Sequence, residues 1–180
     1  MNFPSLTELN KNLTNIAQAI QSIYATLKAS LPAFTPGQLP GTTTNDNANT
    51  GNVGEYLAAS VAQGSPVSIS TGTPKTIVTL PLTAGDWDVW GMIGVVPAAG
   101  TTVSQIEAGI NTTTNTLPAA TDPSFLNSTW TFTTADVQQL PVGATRVPLA
   151  APGNAYLVID CAFAVSTNAA FGTLVARRRR

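Results

Sequence analysis

Apolar and polar positions follow two different rhythms along the chain, and the change between them divides it. From Ser5 to Leu31 the large apolar residues fall at Leu6, Leu9, Leu13, Ile16, Ile20, Ile23 and Leu27. Their spacing alternates three and four, which holds one stripe in line along a helix for almost four heptads. Ser5-Leu6-Thr7-Glu8 reads as a capping box: the Ser5 hydroxyl takes a free backbone N–H while Glu8 reaches back to the Ser5 amide. Pro32 marks the stop, because a residue that precedes proline is disfavoured in the helical region.

With Leu6, Leu13, Ile20 and Leu27 at a, the d layers are Leu9, Ile16 and Ile23. Leucine at a with isoleucine at d favours three or four strands over two. The flanking e and g positions are Asn10, Asn12, Ala17, Ala19, Tyr24 and Thr26, so no charge selects a different partner chain. The expectation is a homotrimeric coiled coil over residues 1–31.

Residues 32–54 lose all periodicity and are dominated by Pro, Gly, Thr and Asn, a linker by composition. Beyond them the period becomes two. Trp87, Val89, Gly91, Ile93 and Val95 alternate with Asp88, Trp90 and Met92. Similar short runs recur at 55–62, 66–70, 75–82, 103–111, 128–134, 145–149, 155–165 and 170–176, separated by turns such as Ser70-Thr71-Gly72-Thr73-Pro74 and Ala151-Pro152-Gly153-Asn154. Eight to ten short strands without crossover helices predict a mainly β fold: an antiparallel β-sandwich of the jelly-roll kind over residues 55–180, carried on the N-terminal helix.

Composition sharpens this picture by exclusion. Only 9% of the residues are charged, against about 25% in an ordinary soluble domain. The surface must therefore be built from hydroxyls and amides, or be covered by subunits. There is no histidine, which removes the most common general base and metal ligand. Cys161 is alone, so no intrachain disulfide or paired-cysteine zinc site is possible, and its apolar run (156–165) reads as a buried thiol rather than a nucleophile. No catalytic, metal or cofactor site emerges. No apolar stretch is long enough to span a membrane, and Met1-Asn2-Phe3-Pro4 lacks the basic opening of a signal peptide.

The carboxylates are scattered. Asp86 and Asp88 share a strand face but read as a solvated turn, and Asp160, which interrupts an apolar strand, should face solvent or a subunit interface. Trp87 belongs to the core face by alternation, whereas Trp90 and Trp130 stand apart from it and are candidates either for stacking on a sugar or for burial between subunits. Arg177, Arg178, Arg179 and Arg180 hold half of the basic residues. They are either an anchor for anionic cell-surface polysaccharide or a solvated tail. No further basic patch or aromatic motif supports nucleic-acid binding.

Three segments together, Gly54-Glu55-Tyr56-Leu57, Leu82 to Gly91 (LTAGDWDVWG) and Ala170 to Arg178 (AFGTLVARR), resemble a group of small bacteriophage tail or head fibre proteins over roughly the last two thirds of the chain. Ala84 to Trp90 is also similar in pattern to the strand after a glycine turn in trimeric jelly-roll heads of the tumour-necrosis-factor and complement type. The first resemblance implies a non-enzymatic virion component, made in the host cytoplasm, in which a stalk carries a trimeric head. Its partners would be its own copies, another virion protein at the N-terminal end, and the host surface. Purely structural capsid decoration and polysaccharide depolymerisation are the alternatives.

Overall fold

A computed structural model describes residues 5–30, 44, 46–129, 131–133 and 136–179. The chain divides into two compact units between residues 45 and 46. The first holds the helix α1 (Leu6–Ser30), 25 residues or roughly 38 Å long. Its cap is reciprocal: Ser5 Oγ accepts the Glu8 N–H at 3.3 Å, and the Glu8 carboxylate accepts the Ser5 N–H at 3.1 Å. Glu8 in the first turn and Lys28 in the last complement the helix dipole. All seven stripe residues are exposed, from 47% at Leu9 to 88% at Leu6.

The second unit contains ten strands: β1 (Tyr56–Val61), β2 (Val67–Ile69), β3 (Lys75–Leu82), β4 (Gly85–Pro97), β5 (Thr102–Asn111), β6 (Leu126–Ser128), β7 (Phe132–Thr133), β8 (Gln138–Leu149), β9 (Gly153–Ala164) and β10 (Asn168–Arg178). They form two antiparallel sheets. The first has the order β1-β10-β4-β8, with β2 also on β10; the second has the order β3-β9-β5-β6, with β7 also on β5. The period-two runs overlap these strands, except that the run at 128–134 takes in only Ser128 of β6 and the short β7, with residues 130 and 134 outside the described ones, and β8 begins seven residues earlier than the run at 145–149. Its first half, Gln138-Gln139-Leu140-Pro141-Val142-Gly143-Ala144, has too few large apolar side chains to announce a strand.

One apolar core lies between the sheets. Trp87, Val89, Ile93 and Val95 of β4 and Leu174 of β10 meet Leu157 and Ile159 of β9 and Val103 of β5, each at 1% exposure or less. Residues 112–125, which join β5 to β6, fold back over the second sheet. A side chain at Gly109 would strike the Pro118 ring at 2.4 Å, so only glycine lets the segment lie this close. The outer strands β3 and β8 carry Pro81, Pro141 and Pro148, which lack the N–H needed to extend a sheet.

Candidate interaction site

The C-terminal strand brings three chemically distinct groups together at one end of the first sheet. Arg178 opposes Trp87 across the β10–β4 ladder and points inward. Its guanidinium lies over the Trp87 ring, 4.2 Å from the centroid. Nε donates to Glu55 Oε2 at 2.9 Å, Nη1 to the Ala84 carbonyl at 2.8 Å, and Nη2 to the Thr83 hydroxyl. Both ionic partners are buried, Arg178 at 4% and Glu55 at 3% exposure. Burial pushes the Glu55 carboxyl up, but the Gly51 N–H and the Arg178 charge outweigh it and hold the group below its ordinary value. The backbone closes the same junction: Gly54 N–H donates to the Arg178 carbonyl at 3.0 Å and Arg178 N–H to the Glu55 carbonyl at 2.8 Å.

This overturns part of the sequence expectation, which placed all four terminal arginines on the surface. Arg177 and Arg179 are exposed, Arg178 is an internal bolt, and Arg180 lies outside the described residues. Strand alternation is the reason: consecutive residues on β10 face opposite sides, so a run of arginines cannot act as one patch. Glu55, the partner that makes burial tolerable, is 123 positions away in sequence.

Next to the bolt, on the outward side, the charges form a mixed group. Arg146 grips Asp86 with two bonds, Nε to Oδ1 at 2.7 Å and Nη2 to Oδ2 at 3.0 Å. Asp86 is therefore buried and ion-paired rather than part of a solvated turn, and it is not a carboxylate free to bind a cation or attack a substrate. Asp88 is about half exposed and meets Arg179 only loosely, at 3.5 Å. Arg177 stands beside it, between Asp88 and the half-exposed Tyr56 in the strand register.

Among the tryptophans, Trp87 is wholly in the core. Trp90 is half-buried and faces away from it, beside Val175 on β10. Trp130 lies outside the described residues. A feature with no sequence signal of its own is Phe171: its ring packs against Gly94, where a side chain would strike it at 2.3 Å.

Two clefts lie on the β unit. One of about 400 Å3 is lined by Asn111, Thr112, Asp122, Thr145 and Arg146 together with apolar residues. Asp122 accepts from the Ser124 N–H at 2.8 Å, the Ser124 hydroxyl at 2.7 Å and the Thr145 hydroxyl at 3.2 Å. Asn111 donates to the carbonyls of Thr116 and Leu117. The other, of about 550 Å3, has Glu55 as its charged residue, already held by Gly51 and Arg178. Each charged group lining either cleft is engaged within the chain, which fits a structural role for it better than substrate contact.

Elsewhere, Asp160 faces outward opposite Glu107, with its Oδ1 buried and lacking a hydrogen-bond partner. Cys161 is buried and burial pushes its thiol up to about 12, so it stays protonated and unreactive at neutral pH. Among the described residues no group of three or more His, Cys, Asp or Glu could hold a metal ion, and no helix is long and apolar enough to cross a membrane.

No protein-family model matches the chain, and no curated protein matches it. Two solved structures of infectious bursal disease virus overlap with it. The Gx strain structure gives a TM-score of 0.44 at 11% identity, covering 79% of this chain and 38% of the virus chain. The Gt strain structure gives 0.35 at 13% identity, covering 83% and 46%. This chain spans less than half the length of either virus chain.

Proposed function

We propose that this chain is a non-enzymatic structural protein of a virus particle: a homotrimeric bacteriophage fibre or spike with a coiled-coil stalk and a jelly-roll head. The observation that carries the reading is the helix stripe. Seven leucines and isoleucines in heptad register stand 47–88% exposed on a capped helix, and that much aligned apolar surface is stable in water only against a partner. The uncharged e and g positions make further copies of the same helix the fitting partner. The strand order supports the jelly-roll reading of the head, since β3, β4, β5, β8, β9 and β10 alternate between the two sheets and β1 pairs with β10.

In this reading the N-terminal end attaches to another virion protein and the head contacts the host surface, with several copies supplying avidity that one weak site lacks. Light scattering on the full chain tests the first part: three times 18.6 kDa is expected, and a monomer at micromolar concentration sinks the trimer. Competition tests the second. Added full-length protein should reduce adsorption of the parent particle to its host cells. The internal pairing of the charged cleft residues favours a second reading, capsid decoration without receptor binding, and absence of competition selects it.

A further inference from the structure

The sheet edges are not guarded alike. β3 begins with Lys75 and carries Pro81, β8 carries Pro141 and Pro148, and β6 and β7 are only three and two residues long. β1, on the free side of β10, runs six residues with neither proline nor charge: Tyr56-Leu57-Ala58-Ala59-Ser60-Val61. Its ladder determines which backbone groups are left over. Arg178 N–H donates to the Glu55 carbonyl, so by alternation Leu57, Ala59 and Val61 turn their N–H and C=O towards β10, while Tyr56, Ala58 and Ser60 turn theirs outward. At Tyr56 the outward pair is taken: Asn47 Oδ1 accepts the Tyr56 N–H and Asn47 Nδ2 donates to the Tyr56 carbonyl, both at 2.8 Å. A side-chain amide thus stands where one residue of a further strand would stand. The corresponding groups of the exposed Ala58 and Ser60 have no partner among the described residues.

We infer that the β1 edge is a strand-addition site whose occupant is an extended, uncharged segment of another protein, laid antiparallel along Ala58 and Ser60. It does not depend on the helix association. The open N–H and C=O groups recur at every second residue, a pattern that an extended backbone matches and a compact ligand does not. Antiparallel pairing follows the pairs already present in both sheets. Alternate side chains of the added strand turn inward beside Leu57, Ala59 and Val61, which pack on the core. There a cleft of about 550 Å3 has Leu57, Pro81, Leu82 and Pro152 among its lining residues. Its charged residue, Glu55, is already held by Gly51 and Arg178, so an inward side chain meets no free charge and must itself be apolar. The outward side chains stand beside Tyr56, Ala58 and Ser60, where polar residues fit. The partner segment therefore alternates apolar and uncharged polar residues.

The probe is a labelled synthetic peptide, Ser-Val-Thr-Val-Thr-Val-Ser, titrated with the full-length chain and followed by fluorescence anisotropy. In the inferred pairing the valines face inward and the threonine amides face β1. N-methylation of both threonines should weaken binding at least about tenfold, and N-methylation of the valines should leave it unchanged. No binding at chain concentrations up to about 1 mM, or any other pattern of N-methyl effects, overturns the inference. On the protein side, Ser60→Pro removes an N–H that does not serve the β10 ladder; it should keep the thermal transition and lower peptide affinity by about tenfold. Should that variant melt early, the two methylated peptides decide alone, because they leave the protein unaltered. Hydrogen exchange tests the other occupants. In the chain without peptide the Ala58 and Ser60 amides should exchange much faster than those of Leu57 and Ala59. Slow exchange there means that a second copy or the chain itself already fills the edge, and it overturns the inference.

Discussion

The helix and the β unit use the same large apolar side chains and treat them in opposite ways. In the β unit Leu157, Ile159 and Leu174 are fully buried against residues from both sheets; on the helix Leu13, Ile16 and Ile20 are more than half exposed. The β core is completed by the chain itself, through pairings between strands remote in sequence. The helix stripe is left open among the described residues, so under the proposed association its stability would depend on concentration, whereas the β unit's would not.

The largest expected effect breaks that contrast at the helix. Ile20→Asp places a charge in the apolar stripe and should abolish the oligomer outright, lowering the mass to 18.6 kDa, while the thermal transition of the β unit changes little. Light scattering and calorimetry on one sample separate the two. A β unit that melts with the helix would mean that the halves are not independent.

Next comes the bolt. Arg178→Ala leaves Glu55 buried without its partner and removes the cover from Trp87, and should destabilise the β unit by about 3–5 kcal/mol in urea unfolding. Arg179→Ala, one residue on, should change it by less than about 0.5 kcal/mol, because its contact with Asp88 is long and exposed. Similar losses for both arginines would contradict the burial difference.

The bolt also has a pH signature. The Glu55 carboxyl is held below its ordinary value of 4.5 in the folded state, so its stabilising contribution is fully present above that value and fades as pH falls through the lower, folded value. Glu55→Gln should remove this step. Compared from pH 6 downward, the wild-type and variant stabilities should converge only in strong acid.

The smallest effect concerns the turn between β9 and β10. Val165 sits there at φ 83°, 86% exposed, in a left-handed conformation that a β-branched residue tolerates poorly. Val165→Gly should raise the stability of the β unit by about 1 kcal/mol in the same urea titration.

Much of this was legible in the sequence because it depends on neighbours within a few positions. The Ser5–Glu8 cap, the alternation that sends Trp87 inward and Trp90 outward, and the buried character of Cys161 are all consequences of short-range spacing. The four terminal arginines were not legible, since composition alone reads them as one patch. Nor was Asp86, whose surroundings are decided by Arg146 on a strand 60 positions away.

Local periodicity therefore determined the elements, their caps and which side chains share a face. Only the tertiary structure decided which face is covered and which charge is buried. A charge inside a protein needs a particular opposite charge at about 3 Å, and a ring packed on a glycine of the next strand needs the two strands in one register. Both conditions are met between residues such as Glu55 and Arg178, or Gly94 and Phe171, that have no reason to be associated until the chain has folded.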